Sequence, residues 1–146
     1  MTGIHSDRSG RYTEIVDTKI AIRSVLESLL LQTDDACAFA LIEHSDSGKF
    51  LQFVGSVSSA LLLDLPWQAL SEVEFYRAVE FFRQRGIANV EHQLLDAPSG
   101  KPVAKQLTFQ ESFRSVDAAT EVAISLFEQV YRLPSGSLKV TVESGA

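Results

Sequence analysis

KFLQFVGSVSSALLLDLPWQALSEVEFYRAVEFFRQRG, Lys49 to Gly86, decides the fold. Lys49 to Ser56 carries Phe50, Leu51, Phe53 and Val54 on a short run that ends in small polar residues from Gly55 to Ser59. Ala60 to Leu65 is a second apolar run, and Pro66 stops it because proline has no N–H to give a ladder. This pattern predicts two strands joined by a turn, each covered fully on one face and partly on the other. The period then changes. Ser71 is followed three residues later by Glu74, a capping box, and Val73, Phe75, Tyr76, Val79 and Phe82 fall at helical spacings. Arg83 and Arg85 suit the negative end of the helix dipole, and Gly86 is a natural left-handed terminator, so the spacing predicts a helix over Glu72 to Arg85.

Upstream, Thr13 to Gln32 reads as a helix with Thr13 as its N-cap and an apolar stripe of Ile15, Ile22, Val25, Leu26, Leu29 and Leu30. Thr33, Asp34 and Asp35 break it, Ala36 to His44 is a further strand, and Ser45 to Gly48 supply its turn. Downstream, Ile87 to Leu95 and Val103 to Phe113 are strands around a loop at Ala97 to Pro102. The second alternates cleanly, with Leu107, Phe109 and Phe113 inward, as a half-exposed antiparallel strand does. Val116 to Arg132 is the last helix, capped by Asp117 or Ser115, and Ser137 to Glu143 a final strand with Leu138, Val140 and Val142 inward. The expected fold is therefore α+β: an antiparallel sheet of five to six strands with three helices, in the order α-βββ-α-ββ-α-β. Residues 1–12 form a flexible lead, and 13–146 a single domain.

Composition bounds the function. The chain has 146 residues, 45% hydrophobic and 22% charged, enough for a core without staples. No apolar run approaches the ~18 residues of a membrane span, and the polar stretch Met1 to Arg11 lacks the apolar centre of a signal peptide. A net charge of −6, from 13 basic and 19 acidic residues, argues against nucleic acid and against an anionic membrane surface. One cysteine, Cys37, permits no internal disulfide and fits a cytoplasmic setting. Its neighbours Ala36, Ala38, Phe39 and Ala40 predict a buried strand residue.

Catalytic patterns are missing. The eight glycines are scattered, with no phosphate-binding loop, and the three histidines (His5, His44, His92) are far apart and show no local ligand pairing. His92 shares a strand face with Val90 and Leu94, where a hydrogen-bonded strand histidine is the simpler reading than a general base. Glu72 and Glu74 point to different helix faces, and capping explains them. Glu91 with Glu111 is a second candidate pair of carboxylates; Glu111 falls on the inward face of its alternating strand, an irregularity expected to be relieved by solvation near the strand end. No cofactor or metal is expected, and an enzymatic role is the lesser alternative.

The strongest functional signal is aromatic. Phe75, Tyr76, Phe81 and Phe82 place more apolar area on the middle helix than one buried stripe needs, which predicts cover by a second polypeptide. Trp67, at the strand–helix junction, is either an interface anchor or a plug over the core edge.

The stretch KFLQFVGS (Lys49 to Ser56), then ALLLDLP (Ala60 to Pro66), then the capped helix from Ser71 looks like the strand–strand–helix centre of a type III secretion chaperone. Element order, length and acidity over residues 13–133 resemble that family, including Tir-chaperone-like and YbjN-like domains. The resemblance implies a homodimer that holds an extended partner polypeptide on exposed strands and grooves. A binding module of this kind is expected to associate through Trp67, Phe75, Tyr76, Val79 and Phe82, with a partner-facing strand at Phe50, Gln52 and Phe53. The strand after Pro134 departs from the family pattern and is expected to cover a sheet edge. The alternative is a small-ligand or enzymatic α+β domain with a groove near His92 or Cys37.

Overall fold

The computed structural model describes residues 17–87, 90–95, 102–134 and 137–144, with residues 90–95, 102–106 and 144 described through the backbone alone. The expected lead over 1–12, the Thr13 cap with Ile15, His5, and the tip of the loop at 97–101 lie outside the described residues.

The described part of the first helix, α1, spans residues 17–29. Strands β1 (Ala38–His44), β2 (Phe50–Ser56) and β3 (Ser59–Pro66) follow as a meander, then α2 (Glu72–Gln84), β4 (Val90–Leu95), β5 (Pro102–Phe113), α3 (Val116–Leu126) and β6 (Leu138–Ser144). All neighbouring strands are antiparallel, in a six-stranded sheet of order β4-β5-β3-β2-β1-β6. The α+β class and element order are those the sequence predicts. The final strand does cover an edge: β6 pairs along the whole of β1, from Ala38 opposite Ser144 to His44 opposite Leu138.

Strand alternation sends every second side chain to one face, and all three helices pack there. Ala40 and Ile42 of β1, Leu51 and Phe53 of β2, Leu61, Leu63 and Leu65 of β3, and Phe109 and Phe113 of β5 join one buried cluster. Ile22, Leu26 and Leu29 of α1, Ala78 and Phe82 of α2, and Ala119, Ala123 and Leu126 of α3 complete it. Phe82 lies flat on Phe109, ring centroids 4.9 Å apart, and Phe75 leans on the same ring at 5.9 Å.

The ends of α2 are built as the spacing predicts. The Ser71 hydroxyl accepts from the Glu74 N–H (3.2 Å), and the Glu74 carboxylate accepts from the Ser71 N–H (2.8 Å). At the other end Gly86 takes φ +75°, which L side chains rarely adopt. Its N–H donates to the Arg83 carbonyl, and the Ile87 N–H to the Phe82 carbonyl, a Schellman closure. For α3 the cap is Ser115, whose hydroxyl accepts from the Ala118 N–H. The helix runs on into one π-helical turn, Phe127–Tyr131, stopped by Arg132 at φ +58°. That wide turn keeps Phe127 and Tyr131 buried, and the Tyr131 hydroxyl donates to the Phe50 carbonyl at 2.6 Å.

Two predictions from the sequence need correction. Cys37 is not a buried strand residue: it is exposed, at φ +49°, and ends a short 3-10 turn (Asp34–Ala36) before β1 begins. Glu111 is not solvated at a strand end: it lies on the helix-covered face, opposite Leu63, and accepts from both arms of Arg85, Nε at 2.7 Å and Nη2 at 2.5 Å. Its spacing of two from both Phe109 and Phe113 forces that side, and Arg85 at the end of α2 is long enough to reach it.

The Lys49 ammonium also reaches Glu74, at 2.8 Å, so one carboxylate ties the β1–β2 turn to the start of α2. Burial pushes the Glu74 carboxyl upward, but the Lys49 ammonium and the Ser71 N–H outweigh it and hold the group below its ordinary 4.5. A lowered carboxylate contributes stability that is present above its unfolded pKa and is lost as pH falls through the folded value. Urea titrations of the wild type and Glu74→Gln should therefore differ by about 1 kcal/mol at neutral pH and converge on acidification below 4.5.

Candidate functional site

The face of the sheet turned away from the helices carries Phe39, Leu41 and Glu43 from β1, Phe50, Gln52 and Val54 from β2, and Leu62 and Asp64 from β3. This follows from the register: Phe39 stands opposite Val54 and Val54 opposite Leu62, while Leu41 stands opposite Gln52 and Gln52 opposite Asp64. The core cluster and its partly buried satellites include none of these residues. Phe39, Leu41, Phe50 and Leu62 are only half-buried, and Val54 keeps 36% of its surface. Among the described residues no helix lies over this face.

The polar groups beside the apolar row are fixed. The Gln52 amide donates to Asp64 (2.9 Å), and the buried Thr108 hydroxyl donates to the other Asp64 oxygen (2.5 Å). That network holds β2, β3 and β5 in register without spending charge on an ion pair.

Where β1 begins, the apolar row opens into a shallow groove of about 530 Å³. Val54, Ala60 and Leu62 form one wall; Asp34, Cys37 and Ser56 lie at its polar end. Asp34 accepts from the hydroxyls of Ser56 and Ser58, the latter at 2.6 Å, and these bonds hold its carboxyl below the usual carboxylate value. The Val57 N–H donates to the Gln32 carbonyl (2.9 Å), so the same region pins the end of α1 to the β2–β3 turn.

Of the residues expected at an interface, Phe50 and Gln52 are on the open face. Phe53 is not: it is fully buried on the helix side, because three positions along a strand reverse the facing that Phe50 has. On α2, Phe82 is likewise fully buried within its own chain, Phe75 is half-buried on Phe109, and Phe81 meets Phe82 edge-on at 5.2 Å. The aromatic excess is thus largely absorbed by the chain itself. What remains outside is a strip of Val73, Tyr76 and Val79, 57%, 64% and 36% exposed, with Trp67 exposed on the turn before the helix. Phe39, Leu41, Val54 and Leu62 share this face but are not singled out as a site by the sequence pattern. Their signal was present: β1 to β3 are apolar at consecutive positions, as strands with two apolar faces are, whereas β5 alternates.

The groups proposed for catalysis do not converge. The register puts Cys37 beyond the Phe39–Val54–Leu62–Ser112 row, while His92 pairs with Gln106 at the far end of β5, with β2, β3 and β5 between them. His44 is occupied by its own turn, where the Ser47 N–H donates to Nδ1 at 3.2 Å. Among the described residues no three His, Cys, Asp or Glu side chains gather as metal ligands, and no helix is long and apolar enough to cross a membrane.

Comparison with protein-family models, curated proteins and solved structures finds no match to this chain. The resemblance to secretion chaperones therefore rests on element order, size and charge.

The division between core and surface aromatics is measurable. Phe82→Ala should lower stability by about 3–5 kcal/mol in denaturant unfolding, as emptying a packed aromatic site does, whereas Tyr76→Ala should stay within about 0.5 kcal/mol. Cys37 should react with a maleimide in the native protein, without denaturant, and mass spectrometry should find one adduct per chain.

Proposed function

We propose that this protein is a polypeptide-binding module that works as a homodimer and receives an extended apolar segment on the face of its sheet that no described helix covers. The observation that carries the reading is the row of Phe39, Val54 and Leu62, with Leu41 and Phe50 beside it, left half-exposed across β1 to β3. A contiguous apolar surface on a domain of this size is costly in water unless something covers it at work. Beside the row Gln52 and Asp64 are held to each other and to Thr108, so that part of the face needs little ordering when a segment arrives. The net charge of −6 favours segments that carry basic residues beside apolar ones.

The type III secretion chaperone resemblance belongs to this proposal, as does a cytoplasmic setting, which suits an exposed free thiol at Cys37. The groove beside Cys37 favours a second reading, a small-ligand domain. It is weaker, because the groove's one carboxylate, Asp34, is already taken up by Ser56 and Ser58.

The test is an array of unstructured peptides of graded hydropathy, probed with the wild type and with Leu41→Asp, both checked by circular dichroism. The wild type should retain apolar peptides with basic flanks, and Leu41→Asp should bind them at least about tenfold more weakly, the loss expected of a central anchor. Equal binding by both proteins, or none by the wild type, would refute the reading.

A further inference from the structure

Strand β6 ends the sheet: β1 lies on one side, and among the described residues no strand lies on the other. An unpaired edge is a template for another strand, and proteins usually disable it with charges of one kind, a proline or a bulge. Here the outward row is Lys139, Thr141 and Glu143, and β6 has neither proline nor a register shift against β1. Lys139 and Glu143 are exposed, and neither is ion-paired among the described residues. Val142, on the helix side of the same strand, keeps 37% of its surface.

We propose that β6 is the homodimer interface: it pairs antiparallel with β6 of a second copy about a twofold axis at Thr141. This inference rests on the homodimer in the reading above and names its surface. Under that operation Lys139 faces Glu143 of the partner subunit, and Glu143 faces Lys139 of the partner subunit. On the helix side Val140 meets Val142 of the partner subunit and covers it. The strand is its own complement in this register alone. An axis at Lys139 sets lysine against lysine, and an axis at Glu143 sets glutamate against glutamate. The intermediate even registers leave both charges without a counterpart. An isologous contact needs this kind of self-complementarity. The strip on α2 does not have it: the same operation about Tyr76 brings Val73 to Val79 but also Glu72 to Glu80. Pairing at β6 joins the two sheets and makes their open faces continuous, with Leu41 of each copy one strand away from the seam.

Charge exchange tests the register without disturbing the core, read by sedimentation equilibrium on the full chain. Lys139→Glu and Glu143→Lys should each raise the dimer dissociation constant by roughly tenfold, because like charges then oppose each other on both sides of the axis. The double variant Lys139→Glu/Glu143→Lys should return close to wild type. Unchanged dissociation constants in the single variants, or a double variant weaker than either, would overturn the inference. A dimer broken by Tyr76→Asp and indifferent to β6 would overturn it and leave the homodimer standing on α2. A wild type that stays monomeric throughout would remove both, while peptide binding on the open face would remain a separate result.

Discussion

A β-strand shows its side chains to two faces in turn, and among the described residues helices cover one of them. Every other feature is conditioned by that. The helix side collects Leu51, Phe53, Leu61, Leu63, Leu65 and Phe109 beneath α1, α2 and α3, with aromatic stacking at Phe82 and Phe109 near its centre. The other side inherits whatever the intervening positions hold, and in β1 to β3 those positions are mostly apolar. In β5 they are Thr108, Gln110 and Ser112, so the apolar surface fades toward that edge.

A one-sided sheet gains its rigidity from the ties that run from helices to strand ends. Glu74 links Ser71 to Lys49 and so joins α2 to the β1–β2 turn. Arg85 reaches from the other end of α2 to Glu111 on β5. Tyr131 reaches from the close of α3 to the carbonyl of Phe50. Asp34 ties the entry to β1 to the β2–β3 turn. Each of these is a modest contribution by itself, and those at the surface are weakened by water. Together they fix α2 over the sheet at both ends.

Much of the fold was legible because local chemistry and global packing agree. The capping box at Ser71 and Glu74, the left-handed Gly86, the alternation of Phe109 and Phe113 and the amphipathic stripe of α3 all signal their elements directly. The errors share one origin. Phe50 and Phe53 are both aromatic on one strand, yet their spacing puts them on opposite faces. Phe75, Phe81 and Phe82 looked surplus to one helix, because a helix read alone does not show that Phe109 stands ready to receive Phe82 and Phe75. Small apolar neighbours give Cys37 the look of a strand residue, and nothing local announces the 3-10 turn that precedes β1.

The sequence by itself determined the α+β class, the order of the elements, most of their ends, and the net acidity, because these depend on periodicity, capping and charge within short stretches of chain. Only the tertiary structure decided which face of the sheet the helices take, that β6 closes the β1 side, that Glu111 finds Arg85, and that Cys37 and His92 lie apart. Those outcomes depend on which residues distant in the chain meet, and on the register that brings them together.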